Sequence, residues 1–431
     1  VIMGTDGNDT LIGTMGNDSI VGLGGDDILD GRGGSDTLLG GQGDDTYIVD
    51  NINDNVIERS DTVFSVSRIN TTAVQGEAWG GMSNNGVFSP NGTQIVFESA
   101  ANNLVEGDTN NSTDLFMKNQ TTGIITRINT DSAGEQATGV QTGVQSSHAA
   151  FSLDGSQVVF ESDATNLVTA DANGKSDIFV KNLITGELTR VSAIGTGSTQ
   201  VEANNASSSA SFSADGKKVI FASMATNLVT GDSNVASDIF IKDLMTGAVT
   251  RISTTSTGTE ANGNSVMPHF SSDGSRVVFV SDANNLVTND NNILQDVFVK
   301  NILTQEVTRI NVTKEGIEAN GKSDDAVMSE DGTKVLFSSD ANNLVSSDTN
   351  NVRDLFVKDL ATGNISRLST TQSGSEGNAA SYYGQFSADG QYVVFVSSAS
   401  NLVVGDNNGL RDVFIKHLAT GVITRVSSAT D

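Results

Sequence analysis

Large apolar residues stand at every ninth position early in the chain, at Leu11, Ile20, Leu29, Leu38 and Tyr47. In the same frame the segments GTDGNDTLI, GTMGNDSIV, GLGGDDILD, GRGGSDTLL and GGQGDDTYI follow one another from Gly4 without a gap. Gly4, Gly13, Gly22, Gly31 and Gly40 open the units, and Gly7, Gly16, Gly25, Gly34 and Gly43 hold the fourth slot. Asp9, Asp18, Asp27, Asp36 and Asp45 hold the sixth. One inward apolar side chain per unit, after a glycine-rich polar stretch, predicts a short strand alternating with a tight turn. A flexible glycine linker does not keep an apolar residue and an aspartate in phase.

From about Ala78 the period changes to near sixty. Its anchor is F-S-x-D-G, at Phe88, Phe151, Phe212, Phe270, Met328 and Phe386, spaced by 63, 61, 58, 58 and 58 residues. In each unit an aspartate-glycine or asparagine-glycine turn joins two β-branched and aromatic runs. A longer loop leads to a third run, and a T-G turn to a fourth. Of the 18 Phe, 17 fall in three recurring slots of these units, which makes them core. Six four-stranded units that cannot each bury both faces predict an all-β fold, a six-bladed β-propeller. Paired units forming ordinary sandwiches are disfavoured, because no unit differs enough to mark a sandwich edge. The expected organisation is a nine-residue-repeat domain over residues 1–50, a join over 51–77 and the propeller over 78–431. In the join, Ser67, Arg68, Ile69 and Asn70 repeat the pattern of Thr126, Arg127, Ile128 and Asn129, giving seven fourth-strand copies against six first strands. Either the extra copy pairs with the C-terminal strand near Thr424 to Val426 and closes the ring, or the join is a free linker.

The nine-residue units resemble the RTX calcium-binding nonapeptide, G-G-x-G-x-D-x-U-x with U apolar. The resemblance implies that glycine-rich halves form turns and that two units make one turn of a parallel roll. Between residues 4 and 50 there are ten Asp and one basic residue, Arg32. Unscreened, that charge opposes folding, and a hard divalent cation bound by carboxylates and turn carbonyls removes the repulsion. The resemblance implies that Asp9, Asp18, Asp27, Asp36 and Asp45 ligate calcium, as the pairs Asp9 with Asp27, Asp18 with Asp36 and Asp27 with Asp45. The variable fifth slot, Asn8, Asn17, Asp26, Ser35 and Asp44, points to backbone use there. A core this thin predicts a roll that is largely unfolded without metal.

The sixty-residue units resemble the TolB-type propeller repeat. This chain departs from that repeat in the loop before the third strand, which carries D-x-N-x-x-x-D in every unit. The triplets are Asp108, Asn110, Asp114; Asp171, Asn173, Asp177; Asp232, Asn234, Asp238; Asp290, Asn292, Asp296; Asp348, Asn350, Asp354; and Asp406, Asn408, Asp412. Oxygens at this spacing can converge on calcium. The competing reading is turn chemistry, with side chains bonding local backbone and the last Asp capping the third strand.

The formal charge of −28 repels phosphate backbones and anionic lipid, so neither nucleic acid nor membrane insertion is expected. Cys 0 excludes disulfides, thiolate metal sites and cysteine nucleophiles. Variation between units concentrates two residues after a recurring serine (Ser83, Ser146, Ser207, Ser265, Ser323, Ser381), at Asn85, His148, Ser209, Met267, Asp325 and Tyr383. This slot, with Trp79, His269, Asp324 and Tyr382 nearby in sequence, is the candidate ligand rim at the channel mouth. No G-x-S-x-G elbow is present to support a serine nucleophile beside His148. Asp324 and Asp325 with His148 or His269 are the residues on which a polysaccharide lyase or hydrolase would have to draw. The expected protein is a non-catalytic, calcium-dependent scaffold for a glycan or protein partner. It is expected to be extracellular and exported unfolded, as the type I secretion of RTX proteins implies. The alternative is a polysaccharide-active enzyme at the channel mouth.

Overall fold

Both periods become β-structure. The computed structural model describes the chain apart from residues 6, 44, 52, 58–68, 72–77, 80, 140–144, 198–199 and 428–431. It divides into two units, Val1–Ile69 and Asn70–Asp431. Among the described residues no helix is long and apolar enough to cross a membrane.

The first unit is a short parallel roll. Strands Ile2–Met3, Ser19–Gly24, Thr37–Gln42 and Asn55–Ile57 form one sheet, and Thr10–Ile12, Ile28–Asp30 and Thr46–Ile48 the other. The register steps by eighteen residues, Ile2 to Ile20 to Leu38 to Val56 and Leu11 to Leu29 to Tyr47. Alternate nine-residue units therefore stack on the same sheet, and the eighth-slot side chains meet between the sheets. Ile20, Leu29 and Leu38 are fully buried, with Ile2, Leu11 and Tyr47 packed against them. The stack is longer than the glycine pattern indicates. Ile2 and Val56 keep the ninefold phase at either end, and the strand Asn55–Ile57 lies past the expected boundary at Asp50.

The second unit is a six-bladed β-propeller of four-stranded antiparallel blades, each with its strands in sequence order. The first strands are Ser83–Phe88, Ser146–Phe151, Ser207–Phe212, Ser265–Phe270, Ser323–Met328 and Ser381–Phe386. Blade 4 shows how sequence makes a blade. Arg276–Ser281 alternates so that Val277 and Phe279 face one neighbour while Val278 and Val280 face the other, all fully buried. Phe279 stacks on Phe298 of the third strand at 5.8 Å between ring centres. Each consecutive junction is an apolar layer shared by two blades; Val278, Val280, Val297 and Ile310 of blade 4 pack with Val335, Phe337, Leu344 and Phe356 of blade 5. Burying one such side chain contributes about 1.5–3 kcal/mol. The F-S-x-D-G turn is locked by its own serine: Ser271 Oγ donates to Asp273 Oδ1 at 2.6 Å and accepts from Arg276 N at 2.9 Å.

The recurring serines that open the first strands pair with the serines that close the second, as in Ser265 Oγ to Ser281 Oγ at 2.9 Å. Of the expected ring-closing copy, Ser67 and Arg68 lie outside the described residues. The C-terminal strand Ile423–Arg425 pairs with Asp412–His417, completing blade 6 from its own unit. Neighbouring strands join blade 1 to blade 2 and so on to blade 6, but no comparable packing joins blade 6 to blade 1 among the described residues.

Candidate calcium sites and the channel face

In the roll the sixth-slot aspartates stack turn on turn. Asp27 Oδ1 accepts from Asp9 N at 2.7 Å, Asp36 Oδ1 from Asp18 N at 2.7 Å and Asp45 Oδ1 from Asp27 N at 2.8 Å. The three expected pairs are thus brought together. A fourth follows from Asp54, whose Oδ1 accepts from Asp36 N at 2.9 Å. Sequence reading passed over Asp54 because its unit lacks glycine, although Asp54 lies nine residues after Asp45 and Val56 nine after Tyr47.

Oδ1 of Asp27 and of Asp36 is spent on backbone, while Oδ2 of each is buried without a hydrogen-bond partner. Both residues are 1% exposed. An ionised buried oxygen with no partner is costly, so the donor set fits a hard cation. The first two units differ, since Asp9 Oδ2 and Asp18 Oδ2 accept from the backbone N and hydroxyl of Thr5 and Thr14.

First-slot glycines are needed for space. A Cβ on Gly22 would lie 2.2 Å from Asp27 Oδ2, and one on Gly31 2.3 Å from Asp36 Oδ2. Positive φ belongs instead to the fourth slot, at Gly25, Gly34 and Gly43, and to the second, at Leu23, Arg32 and Gly41. The fifth slot is less idle than its variability indicates: Asn8 Oδ1 accepts from Asp26 N at 3.0 Å and Asn17 Oδ1 from Ser35 N at 2.9 Å.

In the propeller each D-x-N-x-x-x-D loop folds around an arginine from the fourth strand. Arg309 Nη1 lies 3.1 Å from Asp290, 3.2 Å from Asp296 and 3.0 Å from Glu318, and Arg367 repeats this with Asp348, Asp354 and Glu376 at 3.0, 3.2 and 3.0 Å. Arg190 and Arg251 do the same with Asp171, Asp177 and Glu202 and with Asp232, Asp238 and Glu260. Arg127 meets Asp108 and Asp114 with Gln136 in place of the glutamate, and Arg425 meets Asp406 and Asp412.

The loop asparagine makes the expected turn. Asn234 Oδ1 accepts from Ala236 N at 2.8 Å while its Nδ2 donates to Asp238 Oδ2 at 3.2 Å and Ala261 O at 2.7 Å. The last aspartate receives the second residue after the fourth strand, as Asp238 Oδ1 does from Ser253 Oγ at 2.5 Å.

Sequence reading missed the glutamate and the arginine, which are distant in sequence from the loop they serve. The signal was present as a recurrent T-R and a recurrent E-A-N. Three carboxylates around one guanidinium leave negative charge uncompensated. Burial, reinforced by the charge of Asp177, pushes the Asp171 carboxyl up to about 7. Burial, with the second loop aspartate adding repulsion, pushes Asp232, Asp290 and Asp348 up to about 6. In blades 2 and 3 one oxygen from each carboxylate lies within 4.8 Å of the other two.

The six rim residues share one unusual backbone state. Asn85, His148, Ser209, Met267, Asp325 and Tyr383 all have φ between 49° and 56°, inside the register shift that bulges each first strand. A bulge re-aims one side chain out of the ladder, which accounts for the variability of this slot. Around blades 1 and 2 the rim is acidic. Glu98 accepts from His148 N at 2.8 Å and from Asn85 Nδ2 at 3.0 Å, and Glu161 accepts from Ser209 N at 2.6 Å. The His148 ring lies 3.4 Å from Glu161 Oε2, which raises its pKa.

Around blades 5 and 6 the face is cationic and aromatic. Arg411 and Arg353 lie over the Tyr382 ring at 5.3 and 6.0 Å, and Tyr383 is 63% exposed. Asp324 is ion-paired to Arg353 rather than to a histidine. Trp79 is exposed, and its backbone N donates to Asn103 Oδ1 at 2.7 Å. His417 stacks edge-on against Tyr392 at 4.8 Å.

Residues 1–22 and 12–47 match the family model of the RTX calcium-binding nonapeptide repeat, so the roll is built of RTX calcium-binding repeats. No curated protein matches the chain. Among solved structures, an oligogalacturonate lyase from Vibrio parahaemolyticus is 12% identical with a TM-score of 0.49, covering 80% of this chain and 77% of its own. TolB from Acinetobacter baumannii is 15% identical with a TM-score of 0.40, covering 81% and 66%. A manganese-bound oligogalacturonate lyase is 14% identical with a TM-score of 0.48, covering 79% and 75%.

Proposed function

We propose that the protein is an extracellular calcium-dependent scaffold, in which residues 1–57 become ordered on binding calcium and the propeller, residues 78–431, presents its channel face to a glycan or protein partner. The observation that carries the calcium reading is the pair of buried, unpartnered Oδ2 atoms of Asp27 and Asp36. Asp9, Asp18, Asp27, Asp36, Asp45 and Asp54 would hold calcium between units n and n+2, where the bound ion would cancel the repulsion between stacked carboxylates. Calcium is abundant outside cells and scarce inside, so such a roll stays unfolded for passage and folds on arrival. That logic, together with the habit of RTX proteins, supports type I export.

The D-x-N-x-x-x-D loops form a weaker second set. Their carboxylates carry more charge than one arginine balances, so calcium taken up there would compete with a proton and with the guanidinium. The turn bonds of the asparagines stand without any ion.

The channel face supports binding more than catalysis. Its titratable groups are dispersed, with His148 held by Glu161 on one side and Asp324 by Arg353 on another. Calcium titration of the whole chain, followed by hydrogen exchange of peptides within residues 1–57, tests the first half: protection that appears only with calcium is expected, and full protection in excess chelator refutes it. Glycan-array binding with analysis of products tests the second, since cleaved product would establish the enzyme reading.

A further inference from the structure

Among the described residues no blade packs against the outer side of blade 6 as the blades pack against one another. Blade 1 receives contacts that later blades receive from their predecessors. Asn70 Nδ2 donates to Ser83 Oγ at 3.1 Å, as Asn129 does to Ser146 at 3.0 Å and Asn311 to Ser323 at 3.1 Å. Lys118 Nζ reaches Thr71 Oγ1 at 2.7 Å, as Lys181 reaches Thr130 at 3.1 Å. The receiving face of blade 1 is correspondingly buried, Ile95 at 2%, Phe97 at 3% and Phe116 at 0%. Blade 6 also has its own exit, with Ser427 Oγ donating to Asp412 Oδ1 at 2.5 Å. There are thus seven exits for six blades, and the one at Asn70 and Thr71 belongs to none of the six.

The opposite face of blade 6 is partly exposed. Val394 is 37% exposed where its blade 4 counterpart Val278 is at 0%, Ile415 is 36% where Val299 is 7%, and Val426 is 50% where Ile310 is 1%. Terminal units of a repeat stack need a polar outer face, and this one carries the apolar residues that fill the internal junctions.

We propose that this face of blade 6 docks one further unit of the same sixty-residue repeat, a seventh blade. The surface continues an interface already made five times within the chain, and its complement is fixed by those junctions: the Val335, Phe337, Leu344 and Phe356 positions of blade 5, which meet this same face on blade 4. Asn70 and Thr71 stand where the exit of that seventh blade belongs.

The chain has Cys 0, so a single I415C thiol reports directly on the face. Its maleimide labelling rate is measured in the full chain, in the full chain extended after Asp431 by a second copy of residues 313–370, and in that extended chain with F337D and F356D placed in the added copy. V394C repeats the measurement at a second position. The expected result is fast labelling of the full chain at micromolar concentration, a fall of at least tenfold with the added unit, and restored labelling in the doubly substituted one. Equal rates in all three overturn the proposal. So does protection of the unextended chain: if it grows with protein concentration the occupant is a second copy, and if it does not the chain covers the face itself.

Discussion

Leu29→Ala in the roll couples core packing to ion binding in a way that can be counted. Leu29 is fully buried between Ile20 and Leu38, and the core holds little else. Truncating a leucine in such a site costs about 3 kcal/mol. If order in the roll is tied to calcium, as proposed above, that loss appears as a higher calcium midpoint. If the four aspartate pairs fill together, the cost is shared among four ions and the midpoint rises about 3.5-fold; if one ion governs folding, the same cost raises it more than about 100-fold. The shift therefore reports how many sites are coupled, while Leu29→Ile, which keeps the volume, should move it little. Hydrogen exchange of peptides spanning residues 19–42 in the full chain, measured across a calcium series, reads the midpoint. An unchanged midpoint with Leu29→Ala, or protection at zero calcium, would refute the coupling between this core and the ion.

Asp27→Asn keeps an acceptor for Asp9 N but removes a charge shared by two pairs, so calorimetry should show a greater loss of calcium affinity than with Asp54→Asn at the end of the stack. Asn311→Ala strands the buried Val297 N and Asp296 Oδ1 and should lower propeller stability by about 1–3 kcal/mol in chemical denaturation, with Asn311→Ser rescuing much of it because serine fills this slot in blades 3 and 5. In calcium-free buffer the melting temperature of the propeller should fall from pH 5 to about 7.5 and rise again toward pH 10. The first limb follows because Asp171, Asp232, Asp290 and Asp348 have folded pKa values above the unfolded 3.8, so their protonated form is favoured by folding and that contribution fades as pH climbs through about 6 to 7. The second follows because burial holds Lys242, Lys300 and Lys416 down to about 8, so the cost of charging them in the fold lifts as they lose the proton above that pH. A flat profile would show that the clusters are hydrated.

What was legible in the sequence is what repeats in one place. Nine-residue phase aligned the aspartates from Asp9 to Asp45 and the RTX resemblance supplied their stacking partners, while the sixty-residue phase gave six blades and the variable slot from Asn85 to Tyr383. Features that depend on a partner far along the chain were hidden. Glu260 binds Ser233 and Arg251, 27 and 9 residues away, and nothing local in E-A-N marks it as part of an ion cluster. Asp54 was hidden differently, since phase placed it while composition did not: with no glycine beside it, its unit does not look like a turn until Val56 is seen beside Leu38.

The same physical rule separates the two kinds of aspartate that this sequence repeats. In the propeller a guanidinium is delivered to every pair of loop carboxylates, so the blades can close without an ion, and in blades 1 to 5 burial raises the pKa of the loop aspartates. In the roll, backbone N–H groups and threonine hydroxyls hydrogen-bond to Asp9, Asp18, Asp27 and Asp36, and at Asp27 and Asp36 one oxygen is left over in a buried position. Arg32, the one basic residue between residues 4 and 50, cannot serve six stacked turns. An acidic repeat supplied with its own cation does not depend on one from the medium, whereas one without it must take the cation from its surroundings. Exchanging the two arrangements should exchange the behaviour: Arg251→Leu ought to make the blade 3 cluster of Asp232, Asp238 and Glu260 depend on calcium for its thermal stability, while the unsubstituted propeller melts at nearly the same temperature in calcium and in chelator. If R251L were equally insensitive to calcium, the arginine would not be acting as the built-in counterion.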